Sequence, residues 1–201
     1  MVSYAPLTLC SPNGQSRLLK ANSTNTPHLG LDDPALEIMT DFCRTPAISV
    51  PTNTLIDTAL HHMIYSGVRL LFVVNPIFGL LGSITSYDIE SEKPMRYMQS
   101  KDCRIATCSR KDLTVEDIMT PVQKWQALNY KDVANATLGN IVQSFRNLGQ
   151  RHVFVIETTP DRGTSTVRGL FSVSSLERAL RTTIEIVDIA TNFAEIERAL
   201  A

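Results

Sequence analysis

Two stretches, "SGVRLLFVV" (66–74) and "LGQRHVFVI" (148–156), carry one pattern twice. Gly67 aligns with Gly149, Arg69 with Arg151 and Phe72 with Phe154, each pair 82 positions apart. In both, a glycine precedes an unbroken apolar run rich in β-branched and aromatic residues. Glycine at that point suits the left-handed residue that closes a helix. The run suits a strand covered on both faces.

The likeness extends outward on both sides. "LEIMTDF" (36–42) returns as "VEDIMTP" (115–121), and "GSITSYDI" (82–89) returns as "GLFSVSSL" (169–176), 87 positions on. The widening from 82 to 87 places a five-residue insertion in the polar, turn-rich "TTPDRGTSTV" (158–167), where added length costs little. Three echoes in one order mean that the chain holds two copies of a single unit.

Each copy reads as β-α-β-β-α. A short strand, "AISV" (47–50) or "QALNY" (126–130), is followed by a helix. Leu55, Ala59, Leu60, Met63 and Ile64 form the apolar stripe of the first helix, and Leu138, Ile141, Val142, Phe145 and Leu148 that of the second. Thr54 with Asp57, and Asn135, are the expected start signals. The apolar strand, a turn and another strand follow, and a last helix begins inside "SYDIESEK" or "VSSLERALR". Pro94 interrupts the first of these and starts a separate segment, "PMRYMQ". The expected fold class is α/β (α+β), two repeats packed into one compact body, since a lone unit of this size buries little.

Bulk properties narrow the function. The chain has 201 residues, 43% of them hydrophobic, and 19 basic against 20 acidic side chains for a net charge of −1. No block of like charge stands out, so nucleic acid is not an expected partner. The longest apolar run, "LLFVVNPIFGLLGSI" (70–84), is broken by "NP" and two glycines and falls short of the roughly 20 residues of a membrane helix. No basic residue precedes the apolar stretch of "MVSYAPLTLCSP" (1–12), so neither a signal peptide nor a membrane anchor is expected and the cytoplasm is the expected compartment. Cys10, Cys43, Cys103 and Cys108 lack paired spacing and read as reduced, mostly buried thiols, without a metal site. No phosphate loop or hydrolase nucleophile elbow is present, so catalytic residues are not expected.

With these echoes in place, the chain resembles a tandem pair of CBS domains, a Bateman module. "GSITSYD" (82–88) fits the family signature G-h-x-[ST]-x-x-[DN] at every position, "IMT" matches its lead-in, and the resemblance covers roughly residues 36–181. It implies sheets packed face to face as one pseudo-two-fold module, with two clefts that bind AMP, ADP, ATP, NAD or S-adenosylmethionine. It implies a regulatory, energy-sensing role in which an adenosine nucleotide is a ligand and no cofactor is required. It further implies a homodimer that acts through a separate effector protein. The alternative is a CBS pair without ligand, serving as a dimerisation or docking module.

The domain organisation expected on this basis is an N-terminal segment 1–35, mobile or peripheral, a first repeat with linker 36–109, a second repeat 110–181 and an extension 182–201. In the extension Ile189, Phe193, Ile196 and Leu200 line one helical face.

The resemblance also implies roles for particular residues. Asp88 accepts hydrogen bonds from two ribose hydroxyls and Thr85 donates to a phosphate, while Gly82 allows close packing beneath the ligand. The ordinary explanation of Thr85 and Asp88 is a capped helix start. Arg69, Arg151 and His152 resemble basic, phosphate-binding positions in the γ subunit of AMP-activated protein kinase, although the histidine and arginine stand in swapped order. Ala47, Ile48 and Val68 bracket the adenine. Trp125 either stacks on a base or anchors a core. In the second copy Ser172 and Ser175 replace Thr85 and Asp88, so that a charge-assisted bond is lost and the two clefts are expected to be unequal.

Overall fold

The computed structural model describes residues 28–77, 79–100, 109–158 and 165–186. Most of segment 1–35, the helical face of Ile189 to Leu200, and Cys10, Cys103 and Cys108 lie outside the described residues; Cys43 is exposed, against the expected burial.

The strands in chain order are β1 (Thr40–Asp41), β2 (Ser49–Pro51), β3 (Leu70–Asn75), β4 (Gly79–Thr85), β5 (Thr120–Pro121), β6 (Ala127–Asn129), β7 (His152–Thr158) and β8 (Ser165–Ser172). The α-helices are α1 (Ile56–Ser66), α2 (Ser86–Glu90), α3 (Lys93–Gln99), α4 (Val115–Ile118), α5 (Tyr130–Val133), α6 (Leu138–Leu148) and α7 (Val173–Leu180). Two four-stranded sheets form, ordered β2-β3-β4-β5 and β1-β8-β7-β6. No described helix is long and apolar enough to cross a membrane.

Alternation along the central strands sorts the core. Leu71 and Val73 of β3 pack beneath α1 with Ile56, Ala59 and Met63, and Val153 and Val155 of β7 pack beneath α6 with Leu138, Ile141 and Phe145. The intervening residues point the other way, as successive strand side chains do. Leu70, Phe72 and Phe154 therefore form a third cluster between the sheets. Phe72 and Phe154, equivalent residues of the two copies, meet with ring centroids 5.9 Å apart. Phe42 meets Phe72 edge-on at 5.3 Å and Trp125 stacks on Phe154 at 3.9 Å.

The lead-ins are exchanged between repeats. β1 pairs with β8 of the second repeat, Asp41 opposite Gly169, and β5 pairs with β4 of the first, Pro121 opposite Gly82. The exchange continues at the long helices. Ile56 N–H donates to Leu113 O at 3.0 Å, and Leu138 N–H donates to Asp33 O at 2.9 Å. The first repeat's lead-in thus starts the second repeat's helix, and the reverse.

Glycine makes the exchange possible. A Cβ on Gly82 would stand 2.5 Å from Thr120 O, and one on Gly169 would stand 2.8 Å from Thr40 O and from Met39 Sδ. The close approach expected at Gly82 is therefore to the neighbouring lead-in. One lead-in is also clamped electrostatically. Arg168 donates to both carboxylate oxygens of Asp41, at 3.0 and 3.2 Å, holding that carboxyl down to about 2.

Gly67 and Gly149 close α1 and α6 in the left-handed conformation, φ 67° and 62°. The helix starts differ from expectation. Leu55, without a side-chain cap, precedes α1, because the exchanged backbone already serves that turn. For α6 the cap is Thr137 with Asn140, while Asn135 donates instead to Lys131 O. Ile64, assigned to the buried stripe of α1, is 70% exposed.

Candidate functional site: two clefts between the repeats

Where the repeats meet, a cleft of about 350 Å³ lies between the β4–α2 corner and the α6–β7 turn. Thr85, Tyr87 and Asp88 line it from the first repeat, Gln150, Arg151 and His152 from the second, and Lys124 and Trp125 from the segment after β5. This is the aspartate cleft. Its counterpart, the serine cleft, measures about 540 Å³. Ile48, Val68 and Arg69 line one side and Ser172, Ser174, Ser175 and Arg178 the other. The residues singled out in the sequence are thus divided between two sites, with Arg151 facing Asp88 and Arg69 facing the serines. Ala47 joins neither cleft; it borders a shallow apolar recess with Phe42, Val74 and Leu80.

Asp88 is the third residue of α2 and closes a capping box with Thr85. Its Oδ2 accepts from Thr85 N–H at 2.8 Å and from the Thr85 hydroxyl at 2.7 Å. Its Oδ1 accepts from Lys93 Nζ at 2.7 Å. An ionised carboxylate offers about four lone-pair positions, so one remains open on Oδ1. A ribose diol brings two donors and finds room for both only if Lys93 turns away. The Thr85 hydroxyl spends its hydrogen on Asp88, which orients the carboxylate.

Across the mouth, Arg151 lies over the Tyr87 ring, 4.7 Å from its centroid, joining the two repeats by a cation–π contact. Trp125 donates from Nε1 to Thr120 O at 3.2 Å while stacked on Phe154, so it lines the cleft as an anchored ring.

Among the described residues that line the serine cleft there is no carboxylate. Ser172 caps α7 by accepting from Ser175 N–H at 3.2 Å, and its Oγ shares a 2.8 Å hydrogen bond with Ser175 Oγ. This repeats the Thr85–Asp88 geometry without its charge.

Leu70 and His152 border both clefts. They are the equivalent first residues of the two central strands, so the wall between the clefts is apolar on one side of the pseudo-two-fold and ionisable on the other. Burial pushes the His152 imidazole down to about 4; Asp88 opposes that shift, and Arg69 and Arg151 reinforce it. The imidazole is therefore neutral at pH 7. No cluster of three potential metal ligands occurs among the described residues.

Residues 36–92 match the family model for the CBS domain. The chain folds as a tandem pair of CBS domains. Among solved structures, an uncharacterized conserved protein from Pyrococcus horikoshii aligns with a TM-score of 0.51 and 21% identity, over 79% of this chain and 100% of that one. CBSX2 in complex with AMP aligns at 0.47 and 21% identity, over 73% of this chain and 95% of that one. A CBS domain pair in complex with 5′-methylthioadenosine and S-adenosyl-L-methionine aligns at 0.46 and 19% identity, over 72% of this chain and 97% of that one. No curated protein sequence matches the chain.

Within this CBS pair, the sequence reading passed over Lys93, Tyr87, Lys124, Gln150 and Arg178. Arg178 was within reach of pattern reasoning, since it stands four residues after Ser174 and three after Ser175, on the same face of α7. Lys93 had a weaker signal, because it belongs to α3, beyond the turn that ends α2.

Proposed function

We propose that the CBS pair is a non-catalytic regulatory module that takes an adenosine-containing ligand, such as AMP, ADP, ATP, NAD or S-adenosylmethionine, in its aspartate cleft. The observation that carries this is the position of Asp88. Its carboxylate is fixed by Thr85 in the wall of an inter-repeat cleft, with an open acceptor position. Arg151 and Lys124 supply positive charge for a phosphate and the half-buried Trp125 an apolar surface for a base. Ligand binding displaces Lys93 from Asp88 and Arg151 from Tyr87, so occupancy alters contacts that join the repeats. Residues 36–109 and 110–181 act as the two halves, and the signal passes from a cytoplasmic homodimer to a separate effector protein. Ile64 and Tyr65, 70% and 94% exposed on α1, offer that dimer an apolar contact.

Thermal melts with AMP, ATP, NAD and S-adenosylmethionine test the reading. A ligand at a hundred times its Kd stabilises the fold by about 2.7 kcal/mol, and Asp88→Ala removes that rise. The second reading, a docking module without ligand, is favoured by one observation: Lys93 and Thr85 already satisfy Asp88. It takes over if all four compounds leave the melt unmoved in both proteins.

A further inference from the structure

Lys93 has no counterpart in the second copy. In the first repeat the chain leaves α2 at Ser91 and starts α3 with Lys93. In the second, α7 runs unbroken to Leu180, the equivalent position, which is buried. Lys93 Nζ donates to Asp88 Oδ1 at 2.7 Å and to Thr120 Oγ1 at 3.4 Å. One ammonium thus ties the beginning of α3 to the first turn of α2 and to β5, the strand that the second repeat lends to the first. Farther along, the Tyr97 hydroxyl donates to Asp117 at 2.7 Å and Pro94 is buried, while Met95 and Arg96 are exposed.

Hydrogen-bond counting at Asp88 decides when that tie must open. Thr85 occupies both positions on Oδ2, and Lys93 takes one of the two on Oδ1. A sugar with a single hydroxyl to donate fits the open position and leaves Lys93 where it is. A vicinal diol needs both positions on Oδ1. We propose that Lys93 is a diol-gated latch: a ribonucleoside in the aspartate cleft releases it and loosens α3, whereas a 2′-deoxyribonucleoside occupies the same cleft and leaves α3 fastened. This rests on the preceding reading in taking the aspartate cleft as the nucleoside site, and adds that the sugar, beyond occupancy itself, carries the signal.

The same exchange governs affinity. The second hydroxyl gains a charge-assisted hydrogen bond to Oδ1 and forfeits another of the same kind, from Lys93. The two nearly cancel, so the wild type is expected to bind adenosine and 2′-deoxyadenosine with similar affinity. Discrimination between the sugars is thereby turned from binding strength into the state of α3.

Calorimetry and amide hydrogen exchange on the full chain, with adenosine and 2′-deoxyadenosine as probes, test the latch. At saturation adenosine is expected to speed exchange over residues 93–99, and 2′-deoxyadenosine to leave it at the rate without ligand. Lys93→Met keeps the length of the side chain and removes its charge, and circular dichroism checks the variant's fold. In it, residues 93–99 should exchange fast with no ligand and respond to neither probe. Adenosine should then bind about ten- to a hundredfold more tightly than 2′-deoxyadenosine, because the second hydroxyl no longer displaces anything. Neither Asp88 nor Thr120 lines the serine cleft, so a sugar preference created by Lys93→Met belongs to the aspartate cleft.

Adenosine that binds without changing exchange over 93–99 overturns the latch and leaves the aspartate-cleft reading standing. Equal acceleration by both sugars, a wild type that binds adenosine alone, or equal affinities for the two sugars in Lys93→Met also overturns it. If neither nucleoside binds, the reading and the latch fall together.

Discussion

The two clefts are built from equivalent residues, yet they differ in the one respect that matters for ligand chemistry. At the aspartate cleft a capped helix start also holds a carboxylate, and Lys93 balances its charge. At the serine cleft the same cap is made by Ser172 and Ser175 with neutral hydroxyls, and Arg69 and Arg178 form no ion pair among the described residues. Duplication preserved the backbone solution and released the side chains. The cap is a requirement of the fold, which any good acceptor meets; the charge is not, and it is there that the copies diverge.

The comparison is broken most severely by showing that the repeats are independent. The exchanged lead-ins forbid that, since each repeat supplies backbone partners to the other's long helix. Phe145, fully buried under the second sheet, occupies the position of Met63 in the first. Phe145→Ala should cost about 3–5 kcal/mol and should lower a single transition seen by probes in both halves. Two separated transitions in calorimetry, with the first half unmoved, would show that the exchange does not couple them.

A smaller effect sharpens the contrast between Leu70 and His152. The imidazole is held neutral in the folded protein down to about pH 4, whereas in the unfolded chain it titrates at its ordinary 6.5. Between these values the unfolded state takes up the proton, so stability falls as pH drops from 6.5 toward 4. The loss approaches about 3 kcal/mol once both values are passed. His152→Leu, which copies the first repeat, should remove this slope from urea denaturation curves between pH 7 and 4. A slope that survives the substitution assigns the effect to other groups. Asp41 contributes with the same sign but in a lower window, because its depressed carboxyl loses its stabilisation as pH falls below the ordinary 3.8 toward 2.

Next in size are the glycines under the exchanged strands. Gly82→Ala meets the Thr120 backbone at 2.5 Å, whereas Gly169→Ala meets the flexible Met39 side chain and Thr40 O at 2.8 Å. Overpacking of this kind costs about 1–3 kcal/mol, with Gly82 the more sensitive. Equal melting temperatures for the two variants would show that both lead-ins yield alike.

Much of this architecture was legible in the chain because it is local. Helix-closing glycines, apolar strands and capped helix starts each leave a mark within a few residues, and the internal repeat let every mark be read twice. The exchange of lead-ins was not legible, since β1 and β8 pair across more than a hundred residues and local periodicity carries no such information. The Arg168–Asp41 clamp, 127 residues apart, escaped for the same reason. A hint did exist, in that both "IMT" segments and both close-approach glycines recur together. Within the clefts, the signature motif gave Thr85 and Asp88, but the partition of Arg69 from Asp88 depends on how two sheets face each other.

The smallest effect is the most informative about divergence. Ser175→Asp restores to the second copy the capping box that the first possesses, with Ser172 as the reciprocal partner. A completed box should add about 0.5–1 kcal/mol of stability, read as a modest rise in the melt without ligand. The new carboxylate has no counterpart of Lys93, because the equivalent position is Leu180, which is buried. It would instead face Arg69 and Arg178 and neutralise part of the cleft. Part of the gain should therefore come from pairing with these arginines and shrink at high salt, which screens exposed charges. If the melt rises equally at low and high salt, the positive charge is not what distinguishes the serine cleft, and the difference between the copies lies in shape alone.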